Sequence, residues 1–139
     1  MEISEVRKRL NQTIERAKRQ AAERRARGDD ATRAFETFLS AIAVPLFRQV
    51  ANILRADGYL FNVFTPSGSV RLMSDRSTED FIELFLDTGG DQLRVVGRTR
   101  RGRGHRVLES EETLGAPGEL SEDDVLTFLL RGLEGFVEK

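Results

Sequence analysis

The sequence predicts an α+β fold with an N-terminal helical hairpin, an antiparallel meander of about five strands and a C-terminal helix. Three observations carry this. Apolar residues recur at helical spacing up to residue 57, fall into short β-like runs over 59–110, and return to helical spacing after 120. Glycine, proline and aspartate clusters separate these runs. The connections between the β-like runs are too short for parallel crossovers, so neighbouring strands must be antiparallel.

The first helix is expected over about 4–27. Ile3, Val6, Leu10, Ile14, Ala17 and Ala21 form one narrow stripe, like a coiled-coil seam whose large residues give way to alanine. Lys8, Arg9, Arg16, Arg19 and Arg27 lie mostly on the opposite face, mixed with Glu5, Glu15 and Glu23. Gly28 reads as a stop, and Asp29 or Asp30 as the cap of a second helix, so Arg27-Gly28-Asp29-Asp30 is the expected corner of the hairpin. The second helix is expected over about 30–57. Phe35, Leu39, Ile42, Leu46, Val50 and Ile53 keep one helical phase across Pro45, which predicts a kinked helix rather than two. Gly58 ends it.

The expected strands are 59–65, 69–75, 80–88, 92–100 and 105–110. Pro66-Ser67-Gly68, Gly89-Gly90-Asp91 and Arg101-Gly102-Arg103-Gly104 supply turns, and Arg76-Ser77-Thr78-Glu79 makes the remaining connection. Residues 111–119, with Gly115, Pro117 and Gly118, read as a loop. The last helix is expected within 120–138, capped at Ser121 with Glu122, Asp123 and Asp124 at the positive end of its dipole. Its apolar residues cover an arc wider than a surface helix needs. Strands 59–65 and 80–88 are apolar on both faces, which calls for cover on two sides, from the three helices or from a second copy.

These elements fit a single domain over 1–139: a hairpin at 1–57, a sheet at 58–110 and the final helix. Hydrophobic residues at 39% and charged residues at 32% exclude a disordered chain. No uninterrupted apolar run approaches the roughly 18–20 residues of a bilayer span, so no membrane partner is expected. The polar start Met1-Glu2-Ile3-Ser4-Glu5 does not read as a secretory signal, and a cytoplasmic location is the expectation.

No constellation for catalysis emerges. Without cysteine there is no thiolate nucleophile, and with His105 alone there is no histidine pair for a metal. Pro66-Ser67-Gly68-Ser69 is turn chemistry rather than a nucleophile elbow. The acids at Glu109, Glu111 and Glu112, and at Glu122, Asp123 and Asp124, lack calcium-loop spacing and read as solvated charge. The expectation is a non-enzymatic chain with no cofactor and no metal.

Charge is segregated behind a net value of −1. Residues 1–27 hold nine basic and four acidic side chains, and residues 107–139 hold nine acids against Arg131 and Lys139. Between them Arg98, Arg100, Arg101, Arg103 and Arg106 crowd one hairpin, a candidate footprint for nucleic-acid phosphates. Arg98 and Arg100 can instead pair across strands with Glu109 and Glu111. The leading expectation is a protein-interaction or oligomerisation module, a homodimer or a pair with another protein. Its expected interface is Ile3, Val6, Leu10, Ile14, Leu130, Leu133 and Val137, and nucleic-acid binding through 98–106 is the alternative.

Overall fold

The helical phase of the first half of the chain produces consecutive helical segments without a loop between them. In the computed structural model, which describes residues 1–137, helix α1 runs Ile3–Phe38, a π-helical turn follows at Leu39–Ala43, and α2 continues as Val44–Ala56. The expected corner at Gly28 is absent, which corrects the hairpin: Gly28 lies inside α1 and has no positive φ. The physical reason is local. Good helix formers such as Ala21, Ala22 and Glu23, and Ala31 and Ala34 beyond, flank it, and one interior glycine costs only about 1 kcal/mol. A corner would break several backbone bonds. Since a Cβ at Gly28 meets nothing within 4 Å, Gly28→Ala will raise stability by about 0.5–1 kcal/mol. Thermal unfolding followed by helical dichroism measures this, and a loss would mean the backbone freedom of glycine is used.

Across Pro45 the helix continues, as its apolar phase requires. The irregularity is a π turn in which the Val44 N–H donates to the Leu39 carbonyl, five residues back. A wider turn before the proline relieves the clash its ring would make with a carbonyl four residues earlier. The continuous stretch Ile3–Ala56 contains an 18-residue window of mean hydropathy 1.4, enough for a bilayer by length and composition alone. Phe35, Phe38, Phe47, Val50 and Ala51 of this stretch belong to the hydrophobic core. Gly58, at φ 91°, closes α2.

The chain divides into two compact units, Met1–Asp30 and Ala31–Lys139. The first is helix alone. The second contains a five-stranded antiparallel meander in chain order: β1 Phe61–Phe64, β2 Ser69–Ser74, β3 Phe81–Asp87, β4 Arg94–Arg103 and β5 Arg106–Gly115. Gly68 and Gly104 take positive φ in the first and last hairpins. The β4–β5 turn is only Gly104-His105, tighter than the sequence implies, and β5 extends into the expected loop. Glu111, Glu112 and Thr113 stand opposite Arg98, Gly97 and Val96, so opposed charges hold a strand that apolar alternation does not announce.

Helix α3, Glu122–Val137, completes the unit. The expected Glu138 end lies outside the described residues. The Asp124 N–H donates to the Ser121 hydroxyl at 3.2 Å, while the Ser121 N–H donates to the Asp124 carboxylate at 2.9 Å. This reciprocal cap holds the Asp124 carboxyl below its usual value, chiefly through the Ser121 backbone bond. A depressed carboxylate stabilises the fold above its unfolded pKa, and that contribution disappears as pH falls through the folded value. Ser121→Ala will cost about 1 kcal/mol at neutral pH, read by denaturant titration. An unchanged midpoint would show the cap to be idle.

One face of the sheet carries Phe61, Val70, Leu72, Ile82, Leu84 and Val95, and these pack with Phe35, Phe47, Val125 and Leu129 as the core. The α2 helix meets β1 and β2, and α3 meets β3 and β4. The close approach of α3 depends on Gly97 and Gly132, where added Cβ atoms would collide with Phe128 and crowd Ile82 and Thr99.

Candidate functional site

The second face of the sheet explains the two-sided apolar pattern in an unexpected way. Neither a helix nor a second copy is needed over Phe81 and Val96, which are buried although they lie outside the helix-packed core. Their face carries a row of residues in register across all five strands: Phe64, Arg71, Glu83, Arg98 and Glu111. Arg71 donates from Nε and Nη2 to Glu83 Oε2 at 3.0 and 2.7 Å. Arg98 reaches Glu111 at 2.8 Å and Glu109 at 3.0 Å, with Glu83 at 3.8 Å. The Arg71 guanidinium lies 4.2 Å from the centre of the Phe81 ring, and that of Arg98 4.7 Å from Phe85. Alternating charge thus neutralises the row, and the flat guanidiniums shield the rings.

This arrangement redistributes the arginine cluster of the hairpin. The hydrogen bond to Glu111 raises the Arg98 pKa, which fixes that charge in the row. Arg100 pairs with Glu79 at 3.1 Å, not with the acids across the strand pair, and Arg101 donates to the Gly135 carbonyl of α3. Arg103 and Arg106 stand opposite each other next to the turn, exposed and without an ion pair among the described residues. The hairpin therefore offers two guanidiniums and the exposed His105 at its tip, not a stripe of five cations. Arg71 and Glu83 escaped the sequence reading. The available signal was one polar residue at the centre of each apolar strand, SVRLMS and FIELFLD.

The expected interface residues separate into two groups. Ile3, Val6, Leu10 and Ile14 are all exposed, Ile3 at 78% and Leu10 at 56%. They occupy one face of the unit Met1–Asp30, a helix that buries none of its large apolar side chains. On α3, Leu130 is exposed, whereas Val137 is half-buried. Leu133 is a correction: at 6% exposure it packs in the core, because the broad apolar arc of α3 is consumed by the sheet on one side and by α2 on the other.

Among the described residues no group of histidine, aspartate or glutamate side chains gathers to hold a metal ion. No family model, curated protein or solved structure matches the chain.

Proposed function

We propose that this chain is a protein-interaction module that assembles as a homodimer through its N-terminal helix. The observation that carries the reading is the exposed stripe Ile3, Val6, Leu10 and Ile14 on the unit Met1–Asp30. A lone helix gains most of its stability from packing of an amphipathic face. Burying a Val, Leu or Ile side chain contributes about 1.5–3 kcal/mol, so leaving four in water forgoes a large stabilisation. A second chain recovers it, and two-fold pairs of identical chains are the commonest assemblies.

Light scattering at micromolar concentration tests this. The wild-type chain is expected at twice the monomer mass, and the variant Ile3→Gln, Val6→Gln, Leu10→Gln, Ile14→Gln at the monomer mass with its thermal unfolding retained. A wild-type monomer sinks the proposal.

A further inference from the structure

A partly open apolar groove lies in the other unit. Helices α2 and α3 form a groove of about 430 Å³, floored by the core residues Leu46 and Val50 and walled by the exposed Ile53 and the half-buried Leu126. Its rim is acidic, made by Glu122 and Asp123 in the first turn of α3. Ile53 is 57% exposed, and Leu130, one turn beyond Leu126, is exposed as well. The groove is the complement of part of the stripe. From Leu46 to Ile53 is seven residues, about 10 Å of helix, which takes two of the turns that run eleven residues from Ile3 to Ile14.

The charge argument follows from helical angles. At 100° per residue Arg7, Lys18 and Arg25 border the stripe on one side, while Glu5, Glu15 and Glu23 fall on the far face. Antiparallel stripe-to-stripe pairing would line one seam with the cations of both copies. An acid-rimmed groove turns the same cations into favourable partners and suits a basic amphipathic helix.

We infer that the N-terminal stripe of one chain docks in the α2–α3 groove of a second copy, which returns the contact with its own helix. The inference rests on the dimer reading above and names the surface that receives the helix. Reciprocal exchange satisfies two-fold symmetry, covers the stripe and the groove with one partner, and brings the basic 1–27 segment against the acidic 107–139 segment.

Charge reversal in the full-length chain tests it by sedimentation equilibrium. Glu122→Lys with Asp123→Lys, and separately Arg7→Glu with Lys18→Glu, will each raise the dimer dissociation constant at least about tenfold. All four changes in one chain will restore it to within about threefold, which a merely destabilised helix would not do. Ile53→Gln, at an exposed position, will weaken the dimer while leaving the helical dichroism of the folded chain unchanged. Because the chain has no cysteine, Leu10→Cys and Ile53→Cys chains mixed under oxidation will cross-link to each other. A dimer that survives every groove variant yet is lost with the stripe overturns the groove and keeps the homodimer. Leu10→Cys chains that cross-link only among themselves overturn it too, in favour of stripe-to-stripe pairing. A wild-type monomer removes both readings.

Discussion

Gly97→Ala will destabilise the protein by about 3 kcal/mol, the upper range for overpacking a well-filled core. Gly97 sits on the helix-facing side of β4, opposite Leu84 on β3, and Phe128 of α3 lies directly on it. A Cβ there would come within 2.9 Å of Phe128 Cδ1 and closer still to Cε1 and Cζ. Phe128 is itself 3% exposed and has no space to retreat, so α3 must lift from the sheet. Shortening the ring relieves the collision: in the double variant Gly97→Ala, Phe128→Leu the two losses will fall short of additivity by at least about 1 kcal/mol. Urea denaturation measures both. Additive losses, or a single loss under about 0.5 kcal/mol, would show that α3 is not seated on this glycine.

Glu83→Ala will cost nearly as much, about 2–3 kcal/mol, for an electrostatic reason. The Glu83 side chain is only 7% exposed and lies between two arginines in register, Arg71 and Arg98. Removing it leaves adjacent guanidiniums of like charge, packed over Phe81 and Phe85, with Arg71 losing its only carboxylate among the ion pairs described. Both arginines keep partial contact with water, which holds the cost below that of a fully buried broken pair. Glu112→Ala is the control. It breaks an exposed pair with Arg131, at 2.9 Å, and will cost under about 1 kcal/mol. Equal losses in the two variants would mean that the row across the sheet is no more than surface charge.

Much of the fold was legible in the sequence because it rests on local rules. The meander order follows from three short turns and one short connection, and the α3 start follows from Ser121 followed by acids. The helix across Pro45 follows from apolar phase, although the form of the irregularity, a π turn, does not. Gly28 shows where local rules stop. Its stop signal is real in isolation, but helix formers on both sides outweigh one glycine. At β5 the opposite occurs: Gly115 and Pro117 suggest a loop, yet acids opposite β4 arginines extend the strand to Gly115.

The candidate site divides along the same line. The stripe Ile3, Val6, Leu10, Ile14 was readable as helical periodicity, but its exposure was not. The groove was not readable, since Leu46, Val50 and Ile53 meet Glu122, Asp123 and Leu126 only after the sheet has brought α2 and α3 together. Nor was the fate of the arginines, which depends on strand register, because a shift of one residue would send Arg98 to the other face.

By itself the sequence determined where the chain changes from helix to strand and back, the antiparallel order of the strands and the apolar stripe of the first helix, but not the helix through Gly28 or the strand over residues 111–115. These follow from periodicity, turn chemistry and short connections, all of which act over a few residues. Only the tertiary structure decided that Arg71, Glu83, Arg98 and Glu111 form one neutral row, that Leu133 is core while Leu130 is surface, and that an acid-rimmed groove opens between α2 and α3. Those outcomes depend on register and packing between residues distant in the chain, where the energy of a side chain is set by neighbours its own sequence context does not name.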